Sequence, residues 1–368
     1  MPDPRVTKLA EVLVHYSLDL KPGEELFIDT STLANPLTLA VMKEALLAGA
    51  HISSHLVIPG EEALFHQCAS EAQLDHTPSI QDFVFEHFDA YLSIGAPHNT
   101  RALTNVDPTR VSRARKARMT AVQKLFERTA RHEARWCYTV FPTDALAQDA
   151  EMSLTEYEDF VYGSEWLDTP DPVAAWKAEA ARQRKLIAWL NGREQAVLKG
   201  KDIDLTFSIK GRSFVESAGR VNFPSGEIFT SPVETSANGW VRFAYPAIFG
   251  GQEVQGVELW FEDGKVVKER ADKGEALLSA TLDTDEGSRY LGEWGIGTNY
   301  GIQRFTRNIL FDEKIGGTMH LALGLGFEEA GGVNKSGIHW DLICDMSESA
   351  VMVDGELFYK DGKFAVGE

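Results

Sequence analysis

Two histidines and three carboxylates in the second half of this chain have the donor types and spacing of a metal site. His339 and Asp341 flank Trp340. Residues two apart on a strand point to one face, so both side chains can reach the same ion. A single His-x-Asp is a weak signal, because hydrogen-bonded structural pairs of this form are common. Glu227 lies within Phe223-Pro-Ser-Gly-Glu-Ile-Phe229, Glu293 within Leu291-Gly-Glu-Trp-Gly295, and His320 within Thr318-Met-His-Leu-Ala-Leu-Gly324. Carboxylate and imidazole donors without thiolates suit zinc, cobalt, manganese or iron(II). Two divalent ions against three carboxylates leave one positive charge, which a bridging hydroxide neutralises. Such a pair, about 3.5–4 Å apart, polarises a carbonyl and delivers a strong nucleophile at neutral pH. The chemistry such a pair would support is metal-assisted hydrolysis. Glycine precedes both glutamates, as expected where backbone packs closely.

The elements that must carry these residues change character along the chain. In the first half, Val6, Leu9, Ala10, Leu13 and Val14 recur at helical spacing, and Glu25–Asp29 reads as a short strand. Pro36–Ala48 is a helix closed by Gly49, and His51–Ile58 is the next strand. Phe88–Ile94 and Arg135–Phe141 are two more, with helical segments between. Alternation of this kind predicts a parallel sheet flanked by helices. No glycine-rich phosphate loop follows these strands, which argues against nucleotide binding. After the helix Pro172–Leu190 and the turn Asn191-Gly192, β signals take over. Ile203, Leu205, Phe207 and Ile209 alternate, as do Val241, Phe243 and Tyr245. Asp263-Gly264 turns a hairpin, Glu275–Leu282 is a helix, and Asp354-Gly355 and Asp361-Gly362 close a meander. The expected architecture is an α/β N-terminal domain with a mainly parallel sheet over residues 1–192. A strand-rich α+β metal-binding catalytic domain follows over 193–368.

A chain of 368 residues fits two domains. Its net charge of −19 argues against nucleic acid and anionic membrane as partners. No signal peptide is visible, and no apolar run approaches the roughly 20 residues of a membrane span. Cys68, Cys137 and Cys344 are few and scattered, which fits reduced thiols in the cytoplasm. The basic stretch Arg110–Arg135 reads as a solvated helix face that pairs with acidic neighbours, since Phe126 is the one aromatic a polyanion site could use before Arg135. His15, His51, His55, His66, His76, His87, His98 and His132 read as structural or surface residues. Trp136, Trp166, Trp176 and Trp189 read as packing residues.

Ordered blocks across nearly the whole chain resemble the M29 metallo-aminopeptidases, the aminopeptidase T and aminopeptidase S group. They are Lys21-Pro-Gly-Glu24, Phe141-Pro-Thr143, Asn222-Phe-Pro-Ser-Gly-Glu-Ile-Phe-Thr230, Leu282-Asp-Thr-Asp-Glu-Gly287, Gly292-Glu293, Leu310-Phe-Asp-Glu313, His320-Leu-Ala-Leu-Gly324 and His339-Trp-Asp341. The resemblance implies that Glu227, Glu293, His320, His339 and Asp341 ligate two divalent ions, zinc, cobalt or manganese. It implies release of N-terminal residues from short peptides, by a homodimer whose active sites face an internal cavity. Glu293 is the expected bridging carboxylate. Glu313 is the expected proton acceptor, with an ordinary buried or capping carboxylate as the plain alternative. Asp285-Glu286 either meets the substrate amine or pairs structurally.

The chain also departs from the family. Phe327 stands where a tyrosine usually follows the first metal histidine, and Lys314 where asparagine usually follows Phe-Asp-Glu. The chain therefore reads as a divergent, short branch, with Tyr300 and Arg304 as other possible donors. Two other functions are weighed. A mononuclear iron(II) ring-cleaving dioxygenase of similar fold would use His320, His339 and Asp341 alone. A non-catalytic metal-binding protein would account for Phe327.

Overall fold

The computed structural model describes residues 3–249 and 252–367. The chain divides into two compact units, Met1–Val173 with Gly219–Pro224, and Ala174–Ala218 with Ser225–Glu368. Residue 192 lies inside the second unit.

In the first unit, strands β1 (Glu25–Ser31), β2 (His51–Val57), β3 (Ala90–Gly95) and β4 (Arg135–Val140) form one parallel sheet in the order β2-β1-β3-β4. This is the expected α/β arrangement. Leu26, Ile28, Leu92, Ile94 and Cys137 are buried in it. Helices α1 (Pro4–Val12), α2 (Asn35–Leu47) and α3 (Pro108–Ala130) have sequence-encoded starts. Pro4 and Pro108 occupy first-turn positions, and Asp3 and Asp107 accept from the backbone N–H groups of Arg5 and Thr109. The basic stretch runs along α3 and pairs as expected. Arg113 meets Glu71 and Asp75, and Lys124 meets Asp82 and Glu86. Residues 219–224 join this unit because the Tyr138 N–H donates to the Val221 carbonyl and the Phe223 N–H to the Tyr138 carbonyl, both at 2.8 Å.

The second unit begins with most of helix α4 (Pro172–Leu190) and is otherwise strand-rich. Two of its sheets are antiparallel, one of eight strands and one of five. The five-stranded sheet matters most. Its strands are β5 (Val215–Ser217), β6 (Glu227–Thr230), β7 (Leu291–Gly297), β8 (Thr318–Gly324) and β9 (His339–Asp345). They lie side by side in the order β9-β8-β7-β6-β5. One face is apolar. Ile228, Trp294, Ile296, Met319, Leu321, Leu323, Trp340, Leu342 and Cys344 point into a single buried core. Phe207 and Phe214 meet the edge of Trp294 there, at 5.2 and 5.8 Å. Alternation then sends the intervening residues to the other face. Those residues include Glu227, Glu293, His320, His339 and Asp341.

The second alternating run stops early. The strand covers Asn238–Arg242; the Phe243 N–H still bonds to the Val257 carbonyl, next in that register, and Phe243 stays buried, but the strand is not carried on to Tyr245. No helix of the described residues is long and apolar enough to cross a membrane.

Candidate metal centre

The register of the five strands assembles the centre. Gly295 pairs with His320, Glu293 with Ala322, Ala322 with Asp341, and Gly297 with Glu227. Glu293 reaches this face through an irregularity. Leu291 pairs with Leu323 and Glu293 with Ala322, so Gly292 is an extra residue, a β-bulge. Leu291 therefore enters the core while Glu293, two residues on, faces the opposite way. The expected tight packing before both glutamates is present. A Cβ on Gly292 would lie 2.2 Å from the Leu325 carbonyl oxygen, and one on Gly226 2.5 Å from Asn299 Cβ. Gly295 leaves the space that His320 fills, since a Cβ there would come within 2.0 Å of the imidazole.

His320 Nε2 lies 3.3 Å from Glu293 Oε1 and 3.5 Å from Glu227 Oε2. His339 Nε2 lies 3.1 Å from Glu293 Oε2 and 3.4 Å from Asp341 Oδ1. The other ring nitrogens are occupied. His320 Nδ1 donates to the Glu313 carbonyl at 3.0 Å, and His339 Nδ1 to the Leu325 carbonyl at 2.9 Å. Those bonds fix both rings and turn both Nε2 atoms toward the carboxylates, as in metal-ligating histidines. Two ligand groups result, Glu227/Glu293/His320 and Glu293/His339/Asp341, each with donor atoms within 4.8 Å of one another. Glu293 belongs to both.

The centre is short of positive charge. Glu227 and Glu293 are each 5% exposed and His320 is 1% exposed. Glu227 Oε2 and Asp341 Oδ1 are buried without a hydrogen bond. Burial opposes charge on both imidazoles, but the carboxylates outweigh it. The hydrogen bond and charge of Glu293, with Glu227 and Asp341, lift His320 to about 10. Asp341 and Glu293 lift His339 to about 12 in the same way. Burial would raise Asp341, yet the charge of His339 brings it down to about 2. Burial also works on Glu293, but its bonds from both histidines hold it below the usual carboxylate range. Glu227 goes up through burial, partly offset by Lys314. A buried cluster with orphaned carboxylate oxygens and imidazoles driven to bind protons fits divalent cations.

Glu313 stands outside both ligand groups. Its carboxylate contacts the Lys314 ammonium, and burial lifts it to about 8 against that charge. Asp285 is structural. It accepts from the Gly287 and Gly337 N–H groups and from the Ser288 and Ser336 hydroxyls. Tyr300 donates instead to the Gly362 carbonyl. Phe327 packs on Phe229 and against the edge of His339, with ring centroids 5.2 and 5.0 Å apart, and its N–H donates to Ser231 Oγ. Sequence reasoning gave no role to Lys314 or to the two carbonyls that hold the histidines. Lys314 at the usual asparagine position was the available signal. The carbonyls carry no residue-type signal at all.

The shared carboxylate and preset imidazoles form two groups that could each hold a divalent ion. The thermophilic metalloprotease (M29) family matches residues 3–364. Aminopeptidase 2 of Geobacillus stearothermophilus is 30% identical, over 97% of this chain and 97% of its own. Aminopeptidase T of Thermus thermophilus is 29% identical, over 96% and 95%. The solved structure of wild-type AmpT from Thermus thermophilus superposes with a TM-score of 0.86 at 26% identity, covering 99% of each chain. The chain belongs to the M29 metalloprotease family, and it is a hydrolase of that metallo-aminopeptidase group.

Proposed function

We propose that this protein releases N-terminal residues from short peptides at a two-ion centre. The carrying observation is the division of Glu293. One of its oxygens faces His320 at 3.3 Å and the other faces His339 at 3.1 Å. On this reading Glu227 and His320 would hold one ion, His339 and Asp341 would hold the second, and Glu293 would serve both. A zinc, cobalt or manganese pair supplies an activated water and a polarised carbonyl. The protein's own groups do the rest. The Glu313 and Leu325 carbonyls keep the imidazoles aimed, and the apolar core behind the sheet keeps the strands in register. Glu313 accepts the proton from the attacking water and returns it to the leaving amine. Burial already lifts its carboxyl to about 8, and cations in the centre bring it toward the neutral range that a general base needs. Phe327 cannot donate to an oxyanion, so its ring contributes an apolar wall beside His339. The acting form on this reading is a cytoplasmic homodimer.

The test joins elemental analysis with hydrolysis of leucine p-nitroanilide in added cobalt, zinc or manganese. Two ions per chain with cleavage is the expected result. One iron per chain, with oxygen uptake on a dihydroxypyridine, would overturn the reading. Two ions with no cleavage across p-nitroanilides and dipeptides would leave a metal-binding protein.

A further inference from the structure

Lys314 brings a buried ammonium into the metal centre, with a side chain that is 0% exposed. Its Nζ is 3.6 Å from Glu227 Oε1 and contacts Glu313 Oε1. The residue is held from several sides. Its chain segment crosses β7 at Gly297, where a Cβ would lie 2.1 Å from the Ile315 carbonyl oxygen and 2.9 Å from the Lys314 carbonyl carbon. Gly297 is the register partner of Glu227. The Lys314 carbonyl accepts from the Asn299 N–H at 3.1 Å, and Asn299 Nδ2 donates to the Ser225 carbonyl at 3.0 Å. The Lys314 backbone is thus tied to the chain just before Glu227, and burial with its two carboxylate partners holds the ammonium there.

The consequence is an asymmetry between the two ligand groups. Glu227 has one oxygen against the ammonium, and only Oε2 faces His320, at 3.5 Å. Asp341 and Glu293 have imidazoles as their ion-pair partners. A fixed positive charge touching one ligand repels a divalent ion held by that ligand. The repulsion is strong in a buried site and falls with distance. We propose that Lys314 makes the two ion positions unequal, weakening the Glu227–His320 position relative to the His339–Asp341 position and holding Glu313 out of the ligand set. This rests on the two-ion reading above.

Calorimetric titration of the full-length, ion-free protein with cobalt(II) tests it, with bound metal counted by elemental analysis. Two binding events are expected, separated by roughly tenfold or more in affinity. Glu227→Gln should remove the weaker event and leave the tighter one. Lys314→Met should strengthen the weaker event and change the tighter one less, and Lys314→Gln provides a polar replacement should the methionine disturb folding. Two events of equal affinity overturn the inference while leaving the two-ion reading standing. So does loss of the tighter event in Glu227→Gln, or a weaker event that weakens further in both Lys314 variants. A single ion per wild-type chain sinks both.

Discussion

Two histidine–aspartate pairs stand on β-strands among the described residues, and only one of them lies in a cluster that could hold a metal ion. In the first unit His55 Nδ1 lies 2.9 Å from Asp29 Oδ1. In the second, His339 Nε2 lies 3.4 Å from Asp341 Oδ1. The shorter pair is the unremarkable one. The His55 side chain is 56% exposed, and the other Asp29 oxygen accepts from the Tyr91 hydroxyl at 2.9 Å. Both Asp29 oxygens there already have a partner. The His339 side chain is 24% exposed and that of Asp341 13%, with one Asp341 oxygen lacking a hydrogen bond and Glu293 alongside. Distance between two ligand-type residues therefore says little. Burial, an unmet acceptor and a third ligand separate a cation site from a surface pair.

The sharpest way to break the contrast is Glu293→Ala, which removes the one residue common to both ligand groups. Both ions should be lost, and kcat/KM on leucine p-nitroanilide should fall by at least ~10²-fold. Retention of two ions per chain by elemental analysis would refute the shared-ligand geometry. Gly295→Ala tests the packing behind it. The added methyl would displace the His320 ring, and metal affinity measured by calorimetry should drop by about 10–100-fold. An unchanged affinity would mean that the imidazole has slack that the packing does not suggest.

Proton linkage separates the pairs in another way. His320 and His339, lifted to about 10 and about 12, carry protons at neutral pH in the ion-free chain. Metal loading at pH 7 should release them, seen as a heat that depends on buffer ionisation enthalpy. The sign for stability follows from the same shifts. In the ion-free protein, the contribution of these imidazolium groups is complete below the ordinary histidine value of about 6.5. It is lost as pH rises through about 10 and then about 12, which thermal melts of ion-free protein should record.

Phe327→Tyr offers a phenol beside His339, and kcat should rise by about tenfold with KM little changed. No gain in kcat would leave oxyanion stabilisation wholly to other groups. The smallest effect belongs to the surface pair. His55→Ala should leave metal content untouched and change stability by less than about 1 kcal/mol.

Much of the fold was legible in sequence. The alternation of helical and strand segments predicts the parallel sheet of the first unit, and the period-2 runs and Asp-Gly turns several strands of the second. His339-x-Asp341 was legible because a regular strand keeps alternate residues on one face. Glu293 was not legible in that way. Simple alternation puts it on the same face as Leu291, and only the bulge at Gly292 separates them. The alternation Val241–Tyr245 outlasts its strand, which ends at Arg242, although Phe243 is buried and its N–H still bonds to Val257, next in the register. Lys314 resisted prediction for a different reason. One of its carboxylate partners, Glu313, is its neighbour in sequence, but the other, Glu227, comes from a strand far back along the chain, and no local pattern announces that meeting.

The glycines of β7 bear on whether this centre can be moved. Transplanting the five donors onto another antiparallel sheet would not reproduce it. The recipient strand would also need no side chain at the positions of Gly295 and Gly297, where a ring and a crossing backbone lie. It would need one surplus residue, at the position of Gly292, to turn its glutamate outward. A graft that copied the ligands and kept alanines would fail by collision before any ion was added.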